Sequence, residues 1–265
     1  MESLARSIER FVDGFANSSA TFDVPVRDKE SVARPSYLLK EDNYLDAVIN
    51  NTVTKASLRY VADKYYSTSV DETLKSSTLV SASSYPSLHQ ILRKCEHSLS
   101  LCDMPEVYVT SKLRGINALS LEVKREKFIL ISREATVCLS EPELEFLLGH
   151  ELGHHQQGNL VCHTVNGLLN SLNAKSEIFG PLISDTIEVP LKRWCRQSEF
   201  NADRAGLVCC KDINVVKQLF VKLGMIENPT AFNLYKETSE DHPLLSTRYN
   251  ELKSFAKSYK NRLCL

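Results

Sequence analysis

The chain has 265 residues, 43% of them hydrophobic and 25% charged, with a formal net charge of -1. This is the balance of a globular protein with a sizeable core; it excludes a disordered or fibrous chain and leaves no basic footprint for a nucleic-acid partner. Its eight cysteines follow no C-x-x-C spacing, so reduced, buried thiols are expected rather than a disulfide scaffold or a metal knuckle.

The first residues contain no continuous apolar stretch, and no run in the chain approaches the length of a membrane span, so neither a secretory signal nor a transmembrane segment is expected and the location reads as cytoplasmic. Leu4, Ile8, Phe11, Val12 and Phe15 do recur at helical spacing. Because Arg6 and Arg10 are balanced by Glu2, Glu9 and Asp13, that helix is expected to dock on the domain, with peripheral membrane contact left open. Residues 17–40, with Pro25 and Pro35, read as a linker or wrapping arm.

Apolar periodicity predicts helices over Tyr44–Tyr66 and Tyr85–Leu101, with loop and a short helix across Ser67–Ser84 between them. After Pro105 the pattern becomes that of a small sheet, with strands over Glu106–Thr110, Gly115–Val123 and Lys127–Ser132. Phe128 to Ile131 is apolar on both faces, as in a strand with two neighbours, whereas Asn117 to Glu122 is more polar and suits an edge. Such an edge can receive an extended polypeptide by β-augmentation or can simply be a protected rim, and the residues alone do not choose.

The stretch Ser140–Gly158 carries the chemistry. Ser140 and Glu143 stand at capping-box spacing, Pro142 suits a first turn, Leu144, Leu147, Leu148 and Leu152 form an apolar side, and Gly158 offers a stop. His150 and His154, four apart, therefore lie one above the other on one helical face, where both imidazoles can meet one Zn²⁺. Glu151 sits beside them and is placed to act as general base toward an activated water. The same letters also describe a helix with two surface histidines. His155 points about 100° away from His154 and reads as a packing or solvated residue.

A catalytic zinc needs a third protein ligand. Gln157 and Leu160 stand where the extended motif H-E-x-x-H-x-x-G-x-x-H requires glycine and histidine, so the third ligand comes from further along. After a helical region over Val161–Ile187, Pro190 is expected to open a helix in which Glu199 and Asp203 share a face beside a stripe of mostly small residues, Leu191, Cys195, Ser198, Ala202, Ala205 and Cys209. Glu199 reads either as an oxygen ligand or as an ordinary solvated helical glutamate. Asp203, one turn on, can take the N–H of a ligating histidine.

His150-Glu-Leu-Gly-His154 followed by Glu199-Phe-Asn-Ala-Asp203-Arg-Ala-Gly resembles the M48 group of gluzincin metallopeptidases. The likeness extends to Tyr85-Pro-Ser-Leu, Pro105-Glu-Val-Tyr-Val, Asn117-Ala118, and Asp241-His242-Pro243 with Arg248, so it covers residues 85 to 255 or so. It implies an α+β, mainly helical zincin-like domain over 81–265, with a small mixed sheet whose edge strand borders the zinc helix; 1–80 is then an N-terminal helical or wrapping segment. It implies one Zn²⁺ per chain on His150, His154 and Glu199, with Glu151 as base, Asp203 behind a histidine, and Asn117 and Ala118 meeting an extended polypeptide substrate. His242 and Arg248 are then expected to stabilise the transition state, or His242 to occupy the open metal position in a resting form. The implied activity is that of a zinc metalloendopeptidase of the EC 3.4.24 type; the alternative is a latent or inactive zinc-binding, chaperone-like protein with a peptide groove.

Overall fold

A computed structural model describes residues 35–39, 43–158, 160–171, 185–223 and 245–263. Among them the elements run α1 (Asn43–Asn50), α2 (Thr52–Lys75), β1 (Thr78–Leu79), α3 (Pro86–Leu99), β2 (Glu106–Thr110), β3 (Ala118–Val123) and β4 (Glu126–Ser132). They continue with α4 (Arg133–Cys138), α5 (Glu141–Gln157), α6 (Leu160–Ser171), α7 (Asp185–Cys210), α8 (Ile213–Lys222) and α9 (Leu245–Leu263). This is the expected α+β architecture, mainly helical around one small mixed sheet. No described helix is long and apolar enough to cross a membrane.

The sheet order is β1-β2-β4-β3, with β2 parallel to β4 and both outer pairs antiparallel. The doubly apolar run in β4 is central, and β3 is the edge. Alternation splits the sheet's side chains between two cores. Val107, Val109, Ile129 and Ile131 face the main core with α3, α5, α7, α8 and α9, while Leu121, Val123, Phe128 and Leu130 pack with Val70 of α2.

Two local expectations are corrected. The stretch Ser67–Ser84, expected as loop with a short helix, is helix through its first half as a continuation of α2 to Lys75, and the rest carries the short strand β1. The Ser/Thr content hid this, but Val70 is buried on the sheet and the hydroxyl of Thr73 bonds back to the carbonyl of Ser69 at 2.8 Å. Helix α7 begins at Asp185 rather than Pro190, so the proline lies inside it and forfeits one backbone bond. Leu191, fully buried in the next position, anchors that turn against α1, α2 and α6.

The helices before residue 80 belong to the same packed body. Leu45 and Ile49 of α1 and Leu58, Val61 and Ala62 of α2 form one cluster with Val161, Cys162, Val165, Leu191, Trp194 and Cys195. Helix α2 also fastens the β3–β4 hairpin, whose two turn residues, Lys124 and Arg125, have φ of 53° and 65°. That left-handed pair gives the primed turn that hairpins favour but costs non-glycine residues about 1–2 kcal/mol each. Asp63 offsets part of it by accepting the Lys124 N–H at 2.6 Å, and Asp71 takes the Lys124 ammonium at 2.7 Å. Of the expected wrapping arm, residues 35–39 are described, and they lie along the back of α5 and α7. The Leu39 N–H reaches Asn201 Oδ1 at 2.7 Å, and Arg204 reaches the Tyr37 carbonyl at 3.2 Å. The Tyr37 hydroxyl bonds Gln156. The amphipathic segment over residues 4–15 lies outside the described residues.

None of the described cysteines is in a disulfide; Cys95, Cys162, Cys195 and Cys209 are buried, but Cys102 and Cys138 stand at the surface, against the expectation of burial.

Candidate metal centre

Helix α5 is held at its start by Glu143, whose Oε2 accepts the Ser140 N–H at 2.8 Å, the Ser140 hydroxyl at 2.7 Å and the Lys222 ammonium at 2.7 Å. Its length is set against α7 by absent side chains. A Cβ on Gly149 would lie 2.7 Å from Cys209 Sγ and 3.0 Å from the Gly206 Cα, and one on Gly153 would lie 2.7 Å from Ala205 Cβ and 3.0 Å from the Ala202 Cα. The small-residue stripe predicted on α7 is thus met by glycines on α5, and the two backbones come close enough for short side chains from both to converge.

They converge on one point. His150 Nε2 and His154 Nε2 are 3.1 Å apart, and the Glu199 carboxylate lies 3.3 Å from the second and 3.7 Å from the first. Two atoms bound at about 2.0–2.1 Å to a tetrahedral zinc are roughly 3.3–3.4 Å apart, so the spacing fits such an ion without rearrangement. Two imidazoles and a carboxylate are also the donor set of open catalytic sites rather than closed structural ones. This is the group of metal-ligating side chains found among the described residues, all three buried and with their ligand atoms within 4.8 Å of one another.

Each ring is held from behind. His150 turns Nδ1 to Asp203 Oδ1 at 3.1 Å. Arg248, from α9, bonds Asp203 through Nε at 2.7 Å and Nη2 at 2.5 Å, and places Nη1 2.9 Å from Glu199 Oε2. Burial works against the charge of Arg248, yet the carboxylates of Asp203 and Glu199 outweigh it and raise its pKa above the ordinary value. Burial likewise disfavours charge on Asp203, but Arg248 and His150 hold its carboxyl below the usual range. For the metal-free His150 ring, burial favours the neutral form while Asp203 and Glu199 together raise the pKa. His154 turns Nδ1 to the hydroxyl of Ser198 at 3.2 Å.

Glu151 is buried with its carboxylate toward the sheet, where the Ser120 hydroxyl donates to Oε2 at 2.7 Å. Ser120 belongs to edge strand β3, so the strand and the glutamate are tied directly. The backbone of Asn117 is taken up by Ser132, which receives a bond from its N–H at 3.1 Å and donates one to its carbonyl at 2.9 Å. By strand alternation Ala118, Ser120 and Glu122 direct their backbone groups away from β4. The Glu122 N–H is already bonded to Thr164 Oγ1 of α6 at 3.0 Å. Ser120 is itself buried, so the accessible part of the edge is at Ala118, with the side chain of Asn117 exposed beside it.

The structure thus brings His150, Glu151, His154, Glu199, Asp203 and Arg248 together. Arg248, expected to stabilise the transition state, sits behind the ligands with its fork on Asp203. His242 lies outside the described residues. His155 is half-buried and outside the ligand group, with burial lowering its pKa. Sequence reasoning did not single out Ser120 and His163, took Ser198 only as a small packing residue, and missed the role of Gly149 and Gly153. The signal for the glycines was present in their four-residue spacing opposite the stripe on α7.

The family model for peptidase family M48 matches residues 82–256. Over 154 residues the chain is 32% identical to the plastoglobule-localized metallopeptidase 48, chloroplastic, of Arabidopsis thaliana, an alignment covering 58% of this chain and 44% of that protein. The chain therefore spans less than half the length of that relative. No solved structure matches. With two-thirds of its length inside the family model and a His-His-Glu group at the centre of that region, the chain belongs to peptidase family M48.

Proposed function

We propose that the chain is a zinc-dependent endopeptidase in which one Zn²⁺ is held by His150, His154 and Glu199. The observation that carries this reading is the convergence of those three buried side chains beside a buried glutamate that is itself bonded to an edge strand. A bound zinc would supply Lewis-acid polarisation of the scissile carbonyl and lower the pKa of the attacking water.

The rest is the work of the chain. An extended polypeptide adds to the β3 edge at Ala118, with Asn117 offering its side chain, which lays a peptide bond beside the metal ligands. Glu151 takes the proton of the attacking water and passes it to the departing amine, so no covalent adduct with the protein forms. Ser120 keeps that carboxylate turned toward the strand. Asp203 and Arg248 fix the His150 ring and the Glu199 carboxylate. His242, beside the last helix in sequence, is assigned the stabilisation of the developing oxyanion.

The test is metal analysis with cleavage of an unfolded protein by wild type and Glu151→Gln side by side. Equal zinc content with hydrolysis lost by orders of magnitude supports the reading. Proteolysis by a rigorously purified Glu151→Gln would refute the base, and an inactive zinc-loaded wild type would leave a peptide-binding protein.

A further inference from the structure

The two ligand histidines are supported by different chemistry. His150 rests on a carboxylate that is itself gripped by a guanidinium. His154 rests on a neutral group: Ser198 Oγ lies 3.2 Å from His154 Nδ1, and the same oxygen lies 2.9 Å from Nε2 of His163. These residues come from α5, α7 and α6, three separate helices. Ser198 is 1% exposed. The His163 ring stands with its centroid 4.2 Å from that of His154 and 5.2 Å from that of Trp194, which is one turn before Ser198 on α7.

Proton bookkeeping gives this chain a direction. A histidine that ligates through Nε2 carries its proton on Nδ1, so His154 donates and Ser198 Oγ accepts. A hydroxyl has one proton to give, and the second ring nitrogen within reach is His163 Nε2. With the Ser198 proton given to His163, Nε2 is the bare nitrogen of that ring. One arrangement of these protons lets the buried hydroxyl accept from His154 and donate to His163, and it is the one that leaves His154 Nε2 free for a metal.

We propose that His163, acting through Ser198, is a positioning residue that sets the tautomer and ring plane of His154, so that its Nε2 joins the metal-binding group. The inference rests on the metal-site reading but not on the hydrolytic one. It makes His154 the more weakly backed of the two histidines, because a neutral acceptor strengthens a ligating imidazole less than a carboxylate does.

The experiment measures Zn²⁺ affinity by chelator competition, and separately the ring ¹⁵N shifts of the histidines in the zinc-loaded full chain. Ser198→Ala and His163→Phe are expected to weaken zinc binding by roughly 10–100-fold, the scale for losing a group that orients a ligand. His163→Gln, whose amide oxygen can accept from Ser198, is expected to recover most of that loss. Equal weakening in His163→Phe and His163→Gln would overturn the proposal, since that pattern belongs to packing against Trp194, and so would wild-type affinity in His163→Phe. If the variants do not fold, the wild-type spectrum decides: a proton on His163 Nδ1 with Nε2 bare supports the relay, and a proton on His163 Nε2 overturns it. Hydrolysis enters none of these readouts, so a failure of the peptidase reading shows itself separately, as zinc-loaded wild type without activity.

Discussion

Arg248 grips Asp203 with two donors, Nε to Oδ2 at 2.7 Å and Nη2 to Oδ1 at 2.5 Å, and so joins the last helix to the back of the metal centre. The fork is specific to a planar guanidinium, and a lysine there would meet one oxygen at most. Arg248→Lys is expected to lower zinc affinity, read by chelator competition. Arg248→Met leaves the buried Asp203 with His150 in place of its guanidinium partner and is expected to destabilise the protein by about 3 kcal/mol in urea. A loss indistinguishable from zero in that titration would mean that the pair holds nothing.

Ser120→Ala removes the hydroxyl that meets Glu151 at 2.7 Å but leaves the backbone of the edge strand in place. With Glu151 as the base, kcat is expected to fall roughly 10-fold, equivalent to about 1.4 kcal/mol, at little change in KM or zinc content. A rise in KM with kcat intact would instead assign Ser120 to substrate binding alone.

Gly153→Ala places a Cβ 2.7 Å from that of Ala205 and 3.0 Å from the Ala202 Cα. Neither contact can swing away, so α5 and α7 must separate, at about 1–3 kcal/mol of stability. Because His154 follows directly, zinc affinity should fall together with the thermal midpoint. A variant with both unchanged would show that the helix contact is looser than these distances.

Glu143 gives the pH dependence. Burial works to raise its pKa, but Lys222 and Ser140 outweigh that and hold it below the ordinary value. A depressed folded pKa contributes stability that is present above the unfolded value, about 4.3, and is lost as pH falls through the folded one. Glu143→Gln is therefore expected to be less stable than wild type at pH 7, by about 1 kcal/mol given the exposed Lys222 partner, with the gap closing in acid. Denaturant titrations at pH 7 and pH 3 check it, and a gap that widens in acid would reverse the sign.

The sequence by itself determined what depends on neighbours along the chain. The start of α5 at Ser140, the shared face of His150 and His154, and that of Glu199 and Asp203 follow from helical spacing. The doubly apolar β4 and the more polar β3 follow from strand alternation, and both took their expected central and edge places. Tertiary structure decided what depends on contacts between distant segments. Ser67–Lys75 is helix because Val70 finds the outer face of the sheet, although its local hydroxyl content favours loop. Arg248 turned behind the ligands because Asp203 and Glu199, some 45 to 49 positions earlier, present their oxygens to it there. Ser198 and His163 carry no motif at all; a hydroxyl becomes the support of a metal ligand only when three helices bring two rings to it, and spacing along a chain does not encode that distance.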